Sequence, residues 1–153
     1  MIVTSPQELV AAIPARSRLM GLDLGEKTIG IAAADPGHRI ATPVTTIRRK
    51  KFREDVQQLL KLIDERGVGG LVVGLPLNMD GSEGPRCQSV RQFANNLFKH
   101  RDMPVLFWDE RLSTVAVTRD MLTADVSRAK RARIVDESAA AFILQGALDG
   151  LQR

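Results

Sequence analysis

The chain has 153 residues, 44% of them apolar and only 4% aromatic, with a formal net charge of +4. That length fits one domain around a single core, the basic balance favours a polyanionic partner, and so few rings argue against a row of bases stacked on aromatic side chains. One cysteine, Cys87, makes no internal disulfide, and His38 and His100 make no zinc cluster; without a ~20-residue apolar span or a signal-like N-terminus, the expectation is a cytoplasmic protein with no membrane partner.

Ser5-Pro6-Gln7-Glu8 has the form of a capping box with proline at the first helical position, and Leu9, Ala12 and Ile13 give a small apolar face before Pro14 stops the helix. Residues 1–17 therefore read as an N-terminal extension carrying a short helix. The core begins at Arg18. Gly21 to Asp35 reads GLDLGEKTIGIAAAD: a compact apolar strand over Leu19–Leu24, a turn at Gly25-Glu26-Lys27-Thr28, and a second strand over Ile29–Ala34. Asp35-Pro36-Gly37-His38 is a turn by composition. Arg39–Ile47 reads as a third strand, and Pro43, which cannot donate to a ladder, places it at an edge.

The period then changes. Phe52, Val56, Leu59, Leu60 and Ile63 fall at helical spacing, with Gly67 where the helix ends. Leu71–Leu75 is a continuous apolar run, as in a strand covered on both faces. Pro76–Pro85 is a loop. Val90, Phe93, Ala94, Leu97 and Phe98 mark a second amphipathic helix, and Val105–Trp108 a fifth strand closed by Asp109-Glu110. A helix is expected through Val115, Thr118 and Met121, and a last one over about Ile134–Leu148. Right-handed crossovers then give an α/β fold, a five-stranded mixed sheet of order 3-2-1-4-5 with helices on both faces. The winding reverses between strands one and four, where ligands collect in open α/β sheets.

Asp23 sits near the C-terminal end of the first strand, and Asp109-Glu110 closes the fifth, which runs parallel to it. Asp136 is placed in the first turn of the last helix, sharing a face with Ala140, Ile143 and Ala147. Three carboxylates at one sheet edge repel unless cations sit between them, and hard oxygen ligands suit Mg²⁺ or Mn²⁺. Taken singly, each acid has an ordinary structural role, as a turn former or helix N-terminal residue. Strand alternation leaves open which of Asp109 and Glu110 faces the site, and Glu137 rivals Asp136.

GLDLGEKTIGIAAAD, GLPLNMDGSEG, DERLST and VDESAAAFILQ, in this order, resemble the bacterial pre-16S rRNA nuclease family, whose members are also described as Holliday junction resolvase-like and carry a ribonuclease H-like fold. The resemblance spans roughly Leu19 to Leu148 and makes 18–153 a single nuclease domain. It implies divalent-metal hydrolysis of a phosphodiester at the 5′ end of the small-subunit ribosomal RNA precursor. Carried over by position, the catalytic and metal-binding acids are Asp23, Glu110 and Asp136. The extension before Arg18 lies outside the family pattern.

Asn78 and Asp80, in the loop after strand four, either position substrate or make an Asx turn. Arg111 either meets a phosphate or pairs with a neighbouring carboxylate. Of two basic runs, Arg128, Lys130, Arg131 and Arg133 are expected to hold a nucleic-acid backbone, while Arg48–Lys51 with Arg53 is left open between backbone binding and a solvated face. Branched DNA is the alternative substrate; resolving a symmetric junction wants paired sites, and the sequence leaves monomer and homodimer open. A non-catalytic RNA-binding assembly factor is a third reading. An actin-type or sugar-kinase-type nucleotide module is disfavoured, because the chain has no second lobe and Glu26-Lys27 replace the small residues that hug a phosphate.

Overall fold

The computed structural model describes residues 1–112 and 128–152, with the backbone alone for 128–138. The expected helix through Val115, Thr118 and Met121 lies outside the described residues. The strands are β1 (Ile2–Val3), β2 (Arg18–Leu24), β3 (Thr28–Ala34), β4 (Ala41–Arg48), β5 (Val68–Leu75) and β6 (Val105–Asp109). The described helices are α1 (Pro6–Ala12), α2 (Phe52–Arg66), α3 (Pro85–Phe98) and α4 (Arg128–Leu151), with a single 3₁₀ turn at Glu110–Leu112.

The sheet has six strands in the order β1-β6-β5-β2-β3-β4. The five expected strands keep their expected order, so the correction is one added strand. Ile2 and Val3 pair parallel with Val105 and Leu106, and the Val105 N–H donates to the Met1 carbonyl at 2.8 Å. Two residues carry no readable alternation, and the unpaired edge of β6 supplies the partner.

Short-range chemistry sets the element ends. The Ser5 hydroxyl accepts from the Glu8 N–H at 3.1 Å, capping α1. Glu8 reaches back to the Thr4 N–H and hydroxyl, at 3.0 and 2.8 Å, one residue beyond the usual box partner. Ile13 is extended because the following proline disfavours the helical region. α2 ends at Gly67, which takes φ 63° at no steric cost. β4 is an edge strand; Pro43 pairs with Ala32 at a register shift, where a missing N–H is tolerated.

Two cores flank the sheet. On one face, Val56, Leu59 and Ile63 of α2 and Val90, Phe93 and Leu97 of α3 pack against Leu22, Ile29, Ile31, Leu71 and Val73. On the other, Ala140, Ile143, Leu144, Ala147 and Leu148 of α4 pack with Leu9, Leu19, Ala32, Val72 and Leu106. Each fully buried leucine or isoleucine contributes about 1.5–3 kcal/mol against exposure. α4 lies close on the sheet because Gly21 has no side chain: a Cβ there would stand 2.8 Å from the Ala140 carbonyl and 2.7 Å from the Leu144 Cβ.

α4 begins at Arg128, earlier than the expected Ile134. Arg128–Val135 contains no glycine or proline and is rich in strong helix formers. Asp136 therefore sits in the third turn, and a helix N-terminus no longer accounts for it.

Candidate active site

β2 is the pivot of the sheet. It pairs antiparallel with β3 on one side and parallel with β5 on the other. Its residues from Leu19 to Leu24 are buried, Asp23 among them at 4% exposure. Strand alternation puts Asp23 on the same face as Gly21, the face covered by α4. A carboxylate in such a place needs partners, since an isolated buried charge is costly, and Asp23 has them.

β6 stops at Asp109, and Glu110 opens the 3₁₀ turn. Alternation therefore does not govern Glu110, which is free of the strand's in-out constraint. Its side chain lies back over β5: a Cβ on Gly74 would stand 2.8 Å from Glu110 Oε1 and 3.3 Å from its Cγ. The same Cβ would meet Ile143 of α4 at 2.5 Å, so the carboxylate and α4 are on one face. Gly74 and Asp23 each lie one residue beyond the Leu22–Val73 pair in parallel register. The Glu110 carboxylate, reaching from the end of β6 over β5, thus lies at the same end and on the same face of the sheet as Asp23 on β2.

Asp109 has another role. Its carboxylate accepts from Arg111 through the backbone N–H at 2.9 Å, Nε at 3.0 and 3.1 Å, and the guanidinium at 2.7 Å. The Arg111 side chain holds the Asp109 carboxyl below its ordinary range, against a smaller upward push from burial. Arg111 also donates to the Met79 carbonyl at 3.3 Å, tying the loop after β5 to the end of β6.

That loop is built from its own side chains. Asn78 donates to the Ser82 hydroxyl at 3.0 Å, and Asp80 accepts from the Ser82 N–H at 2.9 Å and hydroxyl at 2.6 Å, an Asx turn. Asn78 and Arg111 thus have structural partners. The turn after Asp23 is a hairpin closed by the Gly25 N–H donating to the Thr28 carbonyl at 2.9 Å. Cys87 is buried in the α3 core, and burial pushes its thiol pKa up, as for a packed residue.

The side chains of Arg128, Lys130, Arg131, Arg133 and Asp136 lie outside the described residues; their backbone is helical. Among the described residues, no group of three acids, histidines or cysteines gathers as a metal centre. Sequence reading missed Gly74, the seat of Glu110. The signal was there: a glycine inside an otherwise apolar strand marks a close approach.

The chain matches the family described as "RuvX: Holliday junction resolvase" over residues 17–150. It is 60% identical to a protein of Paramagnetospirillum magneticum named "Putative pre-16S rRNA nuclease", covering 97% of this chain and 96% of that one. A relative in Rhodospirillum rubrum with the same name is 56% identical, covering 100% of this chain and 96% of that one. In fold, the chain is similar to Thermus thermophilus RuvC, solved in complex with a Holliday junction substrate, with a TM-score of 0.55 at 11% identity, covering 89% of this chain and 96% of that one. The yeast mitochondrial Holliday junction resolvase aligns with a TM-score of 0.52 at 13% identity, over 94% of this chain and 82% of that one. Among the described residues, no helix is long and apolar enough to cross a membrane.

Proposed function

Because the chain belongs to the RuvX family, we propose that it is a divalent-metal-dependent nuclease that matures the 5′ end of precursor 16S ribosomal RNA. It is a phosphodiester-cleaving hydrolase. The observation that carries the metal reading is the Glu110 carboxylate lying over Gly74, on the strand beside Asp23. A Cβ at Gly74 would fill that cradle, and hard carboxylate oxygens suit Mg²⁺ or Mn²⁺.

Asp136 completes the set by helical arithmetic. Ala140 touches the sheet at Gly21. One turn back along α4 is Asp136, about 6 Å away at 1.5 Å per residue. Two residues along β2 from Gly21 is Asp23, about 6.6 Å away. The two steps match in length, which supports Asp136 as the third acid. Asp23, Glu110 and Asp136 would hold the metal. A divalent ion bound there would supply activation of a water and charge stabilisation at the departing oxygen. The protein's own part is to fix the carboxylates: Asp23 by the central strand, Glu110 by its turn and the missing Cβ. Arg128, Lys130, Arg131 and Arg133 would hold the nucleic-acid backbone beside them.

The test is purified protein with RNA spanning the precursor 5′ end, in Mg²⁺ or Mn²⁺, beside Asp23→Asn. Cleavage that depends on metal and disappears in the variant is expected; undiminished cleavage in the variant removes this site. Branched DNA is the second substrate, favoured by the family's resolvase description. A four-way junction compared with precursor RNA at matched salt separates the two. Junction resolution also requires a dimer in sedimentation.

A further inference from the structure

Across the sheet edge from the acids is a cleft of about 510 Å³. It opens at the same end of β2, on the α2–α3 face. Its floor is Leu24, which alternation points away from Asp23. Gly25 and Glu26 form one wall, Arg49 and Lys50 a second, and Arg86 with Ser89 of α3 the third. Three separate elements thus bring three cations and one carboxylate, Glu26, to a single concavity.

These cations differ from others on the molecule. Arg91, Arg101 and Arg111 each sit on a carboxylate, at Glu83, Asp64 and Asp109. Among the described residues, the side-chain cations of Arg49, Lys50 and Arg86 form no ion pair with a carboxylate, although the Lys50 backbone N–H donates to the Asp55 carboxylate at 2.9 Å. Arg49 is nevertheless held in place: its guanidinium donates to the Gly25 carbonyl at 2.6 Å and lies 5.8 Å over the Phe93 ring. Its backbone N–H donates to the Lys27 carbonyl at 2.8 Å, fastening the basic segment to the hairpin. Ordering a cation without neutralising it leaves donors for an outside anion, and concave walls concentrate its field.

We infer that this cleft binds consecutive backbone phosphates of single-stranded RNA next to the scissile position, an inference that rests on the nuclease reading above. A strand lying over the end of β2 presents one phosphate to the acids on the α4 face and its neighbours to the cations on the other. The first basic run is thereby divided: Arg49 and Lys50 face the cleft, whereas Arg48, Lys51 and Arg53 do not line it.

The test measures binding rather than cleavage. Fluorescence anisotropy with a labelled single-stranded oligoribonucleotide, titrated across salt concentrations, gives the affinity and its salt slope. Lys50→Gln/Arg86→Gln removes two exposed cations that have no carboxylate partner, so the fold is preserved. For single strands the slope changes by about 0.7 per phosphate contact, so this pair should lower it by about 1.4 and weaken binding about 25-fold at 0.1 M salt. The control is Lys61→Gln/Lys99→Gln, an equal charge change away from the cleft, and its slope should match the unaltered chain. Adding Arg49→Gln should lower the slope further. An unchanged slope in the cleft pair, an equal fall in the control, or no oligonucleotide binding by the unaltered chain overturns the inference. The expected slopes with no cleavage under any divalent metal would retain the cleft and remove the nuclease reading.

Discussion

Gly74→Ala tests the seat of Glu110. The added Cβ would stand 2.8 Å from Glu110 Oε1 and 2.5 Å from Ile143 Cδ1, about 0.6 and 0.9 Å short of ordinary contact. Both neighbours are ends of flexible side chains, so the backbone survives and the side chains move. Overpacking of this kind costs about 1–3 kcal/mol, or a fall in Tm of roughly 2–12 °C for a chain this size. Misplacing a reacting group by about 1 Å costs about 100-fold in rate, so a shift near 0.6 Å should slow metal-dependent cleavage roughly 10- to 100-fold. Gly70→Ala is the matched control. It lies on the same strand and face, and its Cβ would meet Ile13 and Leu9 side chains at 3.0 Å, far from the acids. Thermal melts and single-turnover cleavage of precursor RNA read both variants. Gly70→Ala should lose stability and keep its rate. Cleavage by Gly74→Ala within twofold of the unaltered rate, or an equal loss in Gly70→Ala, would refute the reasoning.

Gly21→Ala should be more damaging to the fold, because its Cβ would meet the Ala140 carbonyl of α4 at 2.8 Å and backbone cannot rotate away; denaturant unfolding should show a loss of about 3 kcal/mol or more. Arg111→Gln should lower stability slightly at pH 7, measured by urea unfolding. Asp109's folded pKa lies below its unfolded value, so the pair's contribution is present above about pH 4 and lost as pH falls through the folded pKa; the difference between variant and unaltered chain should vanish there. Chelation should abolish RNA cleavage in a gel assay while leaving anisotropy-measured binding largely in place, because the cationic surface does not depend on the metal. Asp136→Asn should match Asp23→Asn in cleavage; activity near the unaltered rate would exclude Asp136 from the site.

Periodicity and punctuation were enough for most of the fold. Gly67, Pro14 and the Ser5 cap act through bonds to residues within four positions, so their effect is written locally. The order of five strands followed from runs of apolar residues and crossover rules, because those strands are long enough to carry a pattern. β1 was hidden, since two residues have no period and its partner is more than a hundred residues away. The start of α4 was hidden for a related reason: Arg128–Val135 is helical by propensity but begins with no written stop or start near Ile134.

For the site, apolar runs and their ends marked which acids stand where strands stop, and the family pattern singled out Glu110. Tertiary structure decided how Glu110 reaches its place: β6 ends one residue earlier, and an absent Cβ on a neighbouring strand makes the room. It also decided that Arg49 and Lys50 meet Arg86, although they come from segments more than thirty residues apart. Such facts depend on which strands lie side by side. No local run of residues encodes that distance, because it is fixed only when the whole sheet has closed its register.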